Sequence, residues 1–112
     1  PAVAMAPAPP PREKAAEPEG PSDLLLRRAT PVGDVLKRTL DPTSGRVIER
    51  RLDRTGRIVG QSVVDVSQLS LVSQARDAEG RIVQVVQDTS GAFIQVIRDP
   101  VGRFLRAWVL RQ

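Results

Sequence analysis

The chain has 112 residues, 17 Lys and Arg against 13 Asp and Glu, and no Cys, His or Tyr. That length allows one small domain, with 40% hydrophobic residues for a core but only two Phe and one Trp to give it bulk. Without Cys there is no disulfide framework, thiolate metal centre or cysteine nucleophile; without His and Tyr, acid/base and nucleophilic chemistry falls to carboxylates, Lys, Ser and Thr. The net charge of +4, carried almost wholly by arginine, favours acidic partners in general terms but is not the concentrated patch of a dedicated nucleic-acid binder. No apolar run approaches the length of a transmembrane helix.

Residues 1–21 hold seven of the ten prolines and almost no large apolar side chains. Such a segment buries too little surface to offset its ordering entropy, so a flexible, disordered arm is expected. As polyproline II it would reach roughly 65 Å, at about 3.1 Å per residue. A spacer or tether is the plain role; residues 7–12 also suit docking to an aromatic groove. The start Pro1-Ala2-Val3-Ala4 fits the region after a signal-peptide cleavage site and equally a trimmed terminus. An extracytoplasmic location, periplasmic or at the cell surface, is expected only on the first of these.

Residues 22–29 read as a short helix, with Ser22 as N-cap, Asp23 in the first turn and Arg27 and Arg28 in the last, stopped by Pro31. At two turns it needs Leu24, Leu25 and Leu26 to pack against the rest of the domain.

From residue 30 to 112 a repeat takes over. Its turns begin at Thr30, Asp41, Asp53, Asp65, Asp77, Asp88 and Asp99, spaced 11 or 12 residues apart. Six of the eight glycines and six of the eight aspartates fall in this pattern, too many for chance placement. Asp at the first position bonds amides ahead of it, and Gly at the last takes the left-handed conformation that closes a three-residue hairpin loop. The intervening segments, such as RIVQVVQ and AFIQVIR, are short and β-branched. The expected fold is therefore all-β: an antiparallel meander of about seven short strands, a curled sheet or small barrel. A β-solenoid is the rival, with gentler corners than Asp-x-x-Gly provides. The Asp65 turn has Gln68 where Gly is expected, which leaves the fourth strand least defined.

Counting from each turn assigns faces on the last three strands. One carries Ile82, Gln84, Val86, Ile94, Val96, Phe104, Arg106, Trp108 and Leu110; the other carries Val83, Val85, Phe93, Gln95, Ile97, Leu105, Ala107 and Val109. Both are apolar, which predicts cover on both sides. The alternative is a slip of one residue at a bulge, for which Gly60 and the fourth repeat are candidates.

No nucleotide-binding, hydrolase or metal motif occurs. Single turn aspartates at opposite ends of a meander are neither acid/base pairs nor a calcium loop. The arginines after the turn glycines, Arg46, Arg57, Arg81 and Arg103, are either a ring of cations or solvated turn flanks. The segments GRVIERRLDRTGRIV and DAEGRIVQVV resemble the YD/RHS repeats of bacterial surface and toxin-delivery proteins, which also chain hairpins through Asp-x-x-Gly-Arg turns. The resemblance implies a hairpin repeat; the tyrosines of that family are missing here, and about 80 residues are too few for its encapsulating shell.

These readings converge on a non-catalytic structural or interaction module, without cofactor or metal. It would self-assemble or dock as an accessory subunit of a larger bacterial complex. Its expected interface is Phe93, Ile97, Phe104, Trp108 and Leu110, and its partner a second copy or another protein. A small barrel carrying a lipid-like apolar ligand is the alternative. An arginine-mediated binder of nucleic acid or acidic polymer comes third, disfavoured by the scarcity of stacking aromatics.

Overall fold

The computed structural model describes residues 23–110; the Pro/Ala-rich arm lies outside the described residues. Eight strands follow in order: β1 (Asp23–Ala29), β2 (Val35–Asp41), β3 (Arg46–Leu52), β4 (Ile58–Asp65), β5 (Ser70–Arg76), β6 (Ile82–Gln87), β7 (Phe93–Arg98) and β8 (Phe104–Leu110). Every pairing is antiparallel and sequential, as the repeat predicts. The strands form two four-stranded sheets, β1-β2-β3-β4 and β5-β6-β7-β8, and neither closes. The small-barrel form of the expectation is thereby corrected.

Six of the seven turns make hairpins. In the loops starting at Asp53, Asp77, Asp88 and Asp99, the Gly N–H donates to the Asp carbonyl at 2.9–3.0 Å, and the Asp N–H donates to the carbonyl after Gly at 2.8–3.0 Å. The Thr30 loop repeats this arrangement, and the Asp41 loop spans one residue more. All six turn glycines have φ between +77° and +99°, the region that costs other residues about 1–2 kcal/mol.

The seventh turn does something else. Asp65 caps a single 3-10 turn, Val66–Gln68, accepting from the Ser67 N–H while the Gln68 side chain accepts from the Asp65 N–H. This reciprocal cap replaces the left-handed glycine. The chain does not fold back on β4 but crosses to the second sheet. The missing Gly marks the break between the sheets, not an ill-defined strand.

Of the helix expected over residues 22–29, Ser22 lies outside the described residues and Asp23–Ala29 are a strand, β1, paired with β2 from Asp23↔Leu40 to Ala29↔Val35. An isolated two-turn helix forms only a few backbone hydrogen bonds for a costly nucleus, whereas a hairpin across the Thr30 turn supplies a ready ladder. Three consecutive leucines do not suit strand alternation, and the register shifts at Leu25, which turns into the core.

The main core joins one end of the first sheet to one face of the second. Leu40, Val47 and Val64 stand opposite one another across β2, β3 and β4. They pack on Val86, Ile94, Val96, Ala107 and Val109, with Val66 and Leu69 filling the corner. Small Ala107 lets the β2–β3 loop approach closely enough for its N–H to donate to the Pro42 carbonyl at 3.1 Å. Each fully buried Val or Leu there contributes about 1.5–3 kcal/mol. The described residues extend 49 × 25 × 21 Å, because the far end of the first sheet projects past this contact.

The face assignment on β8 is also corrected. Arg98 pairs with Phe104 but Ile97 pairs with Arg106, so Leu105 is a bulge. Ala107 and Val109 thereby join the face of Val86 and Ile94, and Arg106, Trp108 and Leu110 join that of Val83, Val85 and Ile97. Similar shifts occur at Val59 in β4 and Val72 in β5. The expected slip at a bulge is real, and besides β4 it falls in three strands that Gly60 does not mark.

Candidate functional site

Of the five residues expected to form an interface, four lie on one face and the fifth does not. Phe93, Ile97, Trp108 and Leu110 share the outer face of the second sheet, whereas Phe104 packs against the main core, beneath Gly45. Ile97 and Trp108 are buried; Phe93, Phe104 and Leu110 are half-buried. Val83, Ile97 and Trp108 form a second small cluster with Leu110, and the Arg106 guanidinium lies 5.4 Å from the Trp108 ring centroid. On that face Gln95 Oε1 and Trp108 Nε1 are buried without a hydrogen-bond partner.

The strongest polar feature is an ion cluster between the sheets. Arg38, on β2, forks onto the Asp88 carboxylate of the β6–β7 turn, with Nε at 2.8 Å and NH2 at 2.7 Å, while NH1 reaches Glu49 at 3.2 Å. Both Arg38 and Asp88 are buried. Burial opposes the Asp88 charge, but hydrogen bonds from Arg38 and Ser90 outweigh it, and the pKa lies below the ordinary carboxylate value. The same bond to Asp88, against desolvation, raises the pKa of Arg38 further. Fork geometry of this kind is positional. It fixes where the turn sits on the first sheet.

The other turn carboxylates are consumed locally. Asp53 is held below its usual pKa by the Thr55 hydroxyl and then the Arg57 amide, Asp99 by the Arg103 amide. Arg81 and Arg103 fold back onto Asp77 and Asp99 at 2.7 and 3.0 Å, and Arg57 lies 3.7 Å from Asp53. Arg81 and Arg103 are thus staples of their own turns, whereas Arg57 stays largely exposed and makes only the longer contact. Among the described residues no three His, Cys, Asp or Glu side chains are grouped as metal ligands, and no helix is long and apolar enough to cross a membrane. Because neither sheet closes, the described residues enclose no barrel lumen for an apolar ligand; an open hollow of about 330 Å³ lies between Val66, Leu69, Leu71 and Val86.

What remains is the sheet edges. Four strands are edges, and they are protected unequally. β1 carries Arg27 and Arg28, and β8 receives the Pro42 carbonyl at Ala107. β4 is different. From Ile58 to Val64 it has no charged residue and no proline, and Ile58 through Val63 are all exposed, Ile58, Val59 and Val63 at nearly half of their full area. β5 resembles it over a shorter stretch, with Leu71 and Val72 exposed before Arg76. Sequence reasoning missed this edge because edge status depends on sheet order; the uncharged run between Arg57 and Asp65 was the available signal.

The geometry of the described residues defines a class: an all-β hairpin-repeat unit of two open antiparallel sheets with a long uncharged edge at β4. Comparison with family models, curated proteins and solved structures finds no significant match.

Proposed function

We propose that the chain is a non-catalytic association module, an accessory part of a larger assembly, that docks by adding a strand to β4. The observation that carries this reading is the uncharged, exposed edge from Ile58 to Val64. A sheet edge offers a row of backbone donors and acceptors, and proteins that remain apart blunt it with charge, proline or cover. β4 has only its bulge at Val59 as protection. Main-chain bonds supply affinity in such docking and the alternating side chains supply selectivity. The apolar C-terminal strands are less suited to the task, since Ile97 and Trp108 are buried already.

Site-directed photo-crosslinking in cells that express the protein tests this. A photoreactive residue replacing Ser62, on the edge, should give a discrete adduct identifiable by mass spectrometry, whether with another copy or a different protein. The same group at Thr55, in the turn, should not. Equal or absent adduct formation at both positions would overturn strand addition.

A further inference from the structure

The partner of β4 can be read from β4 itself. We infer that the edge pairs with the β4 of a second copy, antiparallel about a two-fold axis at Gln61, making one eight-stranded sheet from two four-stranded ones. This rests on the reading of β4 as the docking edge.

The argument is self-complementarity. A two-fold interface sets the same strand against itself reversed, so only a sequence that matches its own reverse can use it. Counted outward from Gln61, Gly60 falls opposite Ser62, Val59 opposite Val63 and Ile58 opposite Val64 of the partner copy, with the bulge at Val59 lying outside the central Gly60–Ser62 stretch at each end of the joint. The charged residues that bound the uncharged run also match: Arg57 falls opposite Asp65 at both ends. Opposite charges and β-branched pairs directly across a ladder are the stabilising cross-strand combinations, and like charges are not. Both end groups are available. The Arg57 side chain is largely exposed and comes no closer than 3.7 Å to Asp53, and Asp65 spends Oδ1 on the Ser67 N–H. Shifting the axis by one residue, to Ser62, pairs Arg57 with Ser67, Asp65 with Val59, Val63 with Gln61 and Val64 with Gly60, losing both ion pairs and leaving Ile58 opposite Val66 as the one apolar match. Register is therefore selected by composition. Between the apolar pairs lie Gly60, Gln61 and Ser62, small or polar, which suits a joint open to water on both faces.

The absence of cysteine makes the test direct. In Gln61→Cys the two introduced thiols face each other across the axis, with Cα atoms about 4.5–5.5 Å apart, inside the disulfide range. In Val63→Cys they are offset by four residues, roughly 13 Å, beyond it. Under mild oxidation Gln61→Cys should convert largely to a covalent dimer, and Val63→Cys should remain uncrosslinked. Sedimentation of the wild type should show a reversible dimer, and Val63→Lys, which leaves an exposed position exposed, should weaken it at least tenfold with an unchanged circular dichroism spectrum. A wild-type chain that stays monomeric at hundreds of micromolar, or equal crosslinking of the two cysteine variants, would overturn the inference. If the Ser62 photo-adduct then proves to be a different protein, strand addition at β4 stands and the second copy falls.

Discussion

Arg38 and Asp88 lie 50 positions apart in the chain and meet in a buried, forked ion pair. Removing one member leaves the other's charge buried and unpaired, so Arg38→Met should cost about 3 kcal/mol or more. The pH dependence has a definite sign. A carboxylate whose folded pKa is depressed contributes stability above its unfolded value, about 3.9, and loses it as pH falls through the folded pKa. Wild-type urea midpoints should therefore fall on acidification below about pH 4. In Arg38→Met the isolated Asp88 is harder to ionise, and the gap between wild type and variant should narrow as pH drops. A gap independent of pH would show that Asp88 is not the titrating group. Gln95 is the opposite case: its buried Oε1 has no partner, so Gln95→Met should be neutral or raise stability by up to about 1 kcal/mol, read from the same urea titrations.

At the scale of elements, the turns supply a graded comparison. Gly56 and Gly45 both have positive φ, but a Cβ on Gly56 meets nothing within 4 Å, whereas one on Gly45 would lie 2.8 Å from the Phe104 ring. Gly56→Ala should cost about 1 kcal/mol from backbone strain alone, and Gly45→Ala distinctly more; thermal melts of the two variants check the order. Gly60 is neither strained nor crowded, with Arg51 Cβ at 3.7 Å, so Gly60→Ala should be tolerated. Hairpin chemistry was legible from sequence because Asp, Gly and their spacing act within a few residues. The strand β1 was legible too, from a feature read incompletely: the Thr30 loop is a hairpin, and a hairpin needs a strand before it. The bulge at Val59 was signalled by Gly60 beside it, but those at Leu25, Val72 and Leu105 were not fixed in position, since an extra residue in one strand is defined only against its partner. That is why Trp108 and Ala107 exchanged faces, and why Trp108 and Leu110 joined Phe93 and Ile97 while Phe104, before the bulge, stayed on the core side.

For the whole molecule, the break at Asp65–Gln68 separates a sheet with one packed end from a sheet packed along its length. Amide protection should follow that difference: slowest exchange in β7, whose four central residues are buried, and fastest in β4 of the monomer. Hydrogen exchange with residue resolution measures it, and dilution should accelerate β4 selectively if copies pair there. That the chain splits into two sheets was signalled by Gln68 in place of Gly, but its meaning required the capping geometry. Edge status, and with it the docking strand, belongs to the sheet order and could not be read from any one segment.

The hairpin loops have one more consequence, for how such a chain changes length. In the Asp53, Asp77 and Asp99 loops the carboxylate accepts from the amide of the arginine after the glycine, and in the last two from its guanidinium as well, so each turn carboxylate is satisfied within its own five residues. A unit of two strands and two such loops, about two dozen residues, can then be copied or deleted without leaving a turn carboxylate unpaired. Removing one strand would reverse the direction of everything downstream; removing two would not. Natural variants of this chain should therefore differ in length by steps of strand pairs inserted next to such loops, and not at Asp88, whose carboxylate is already committed to Arg38.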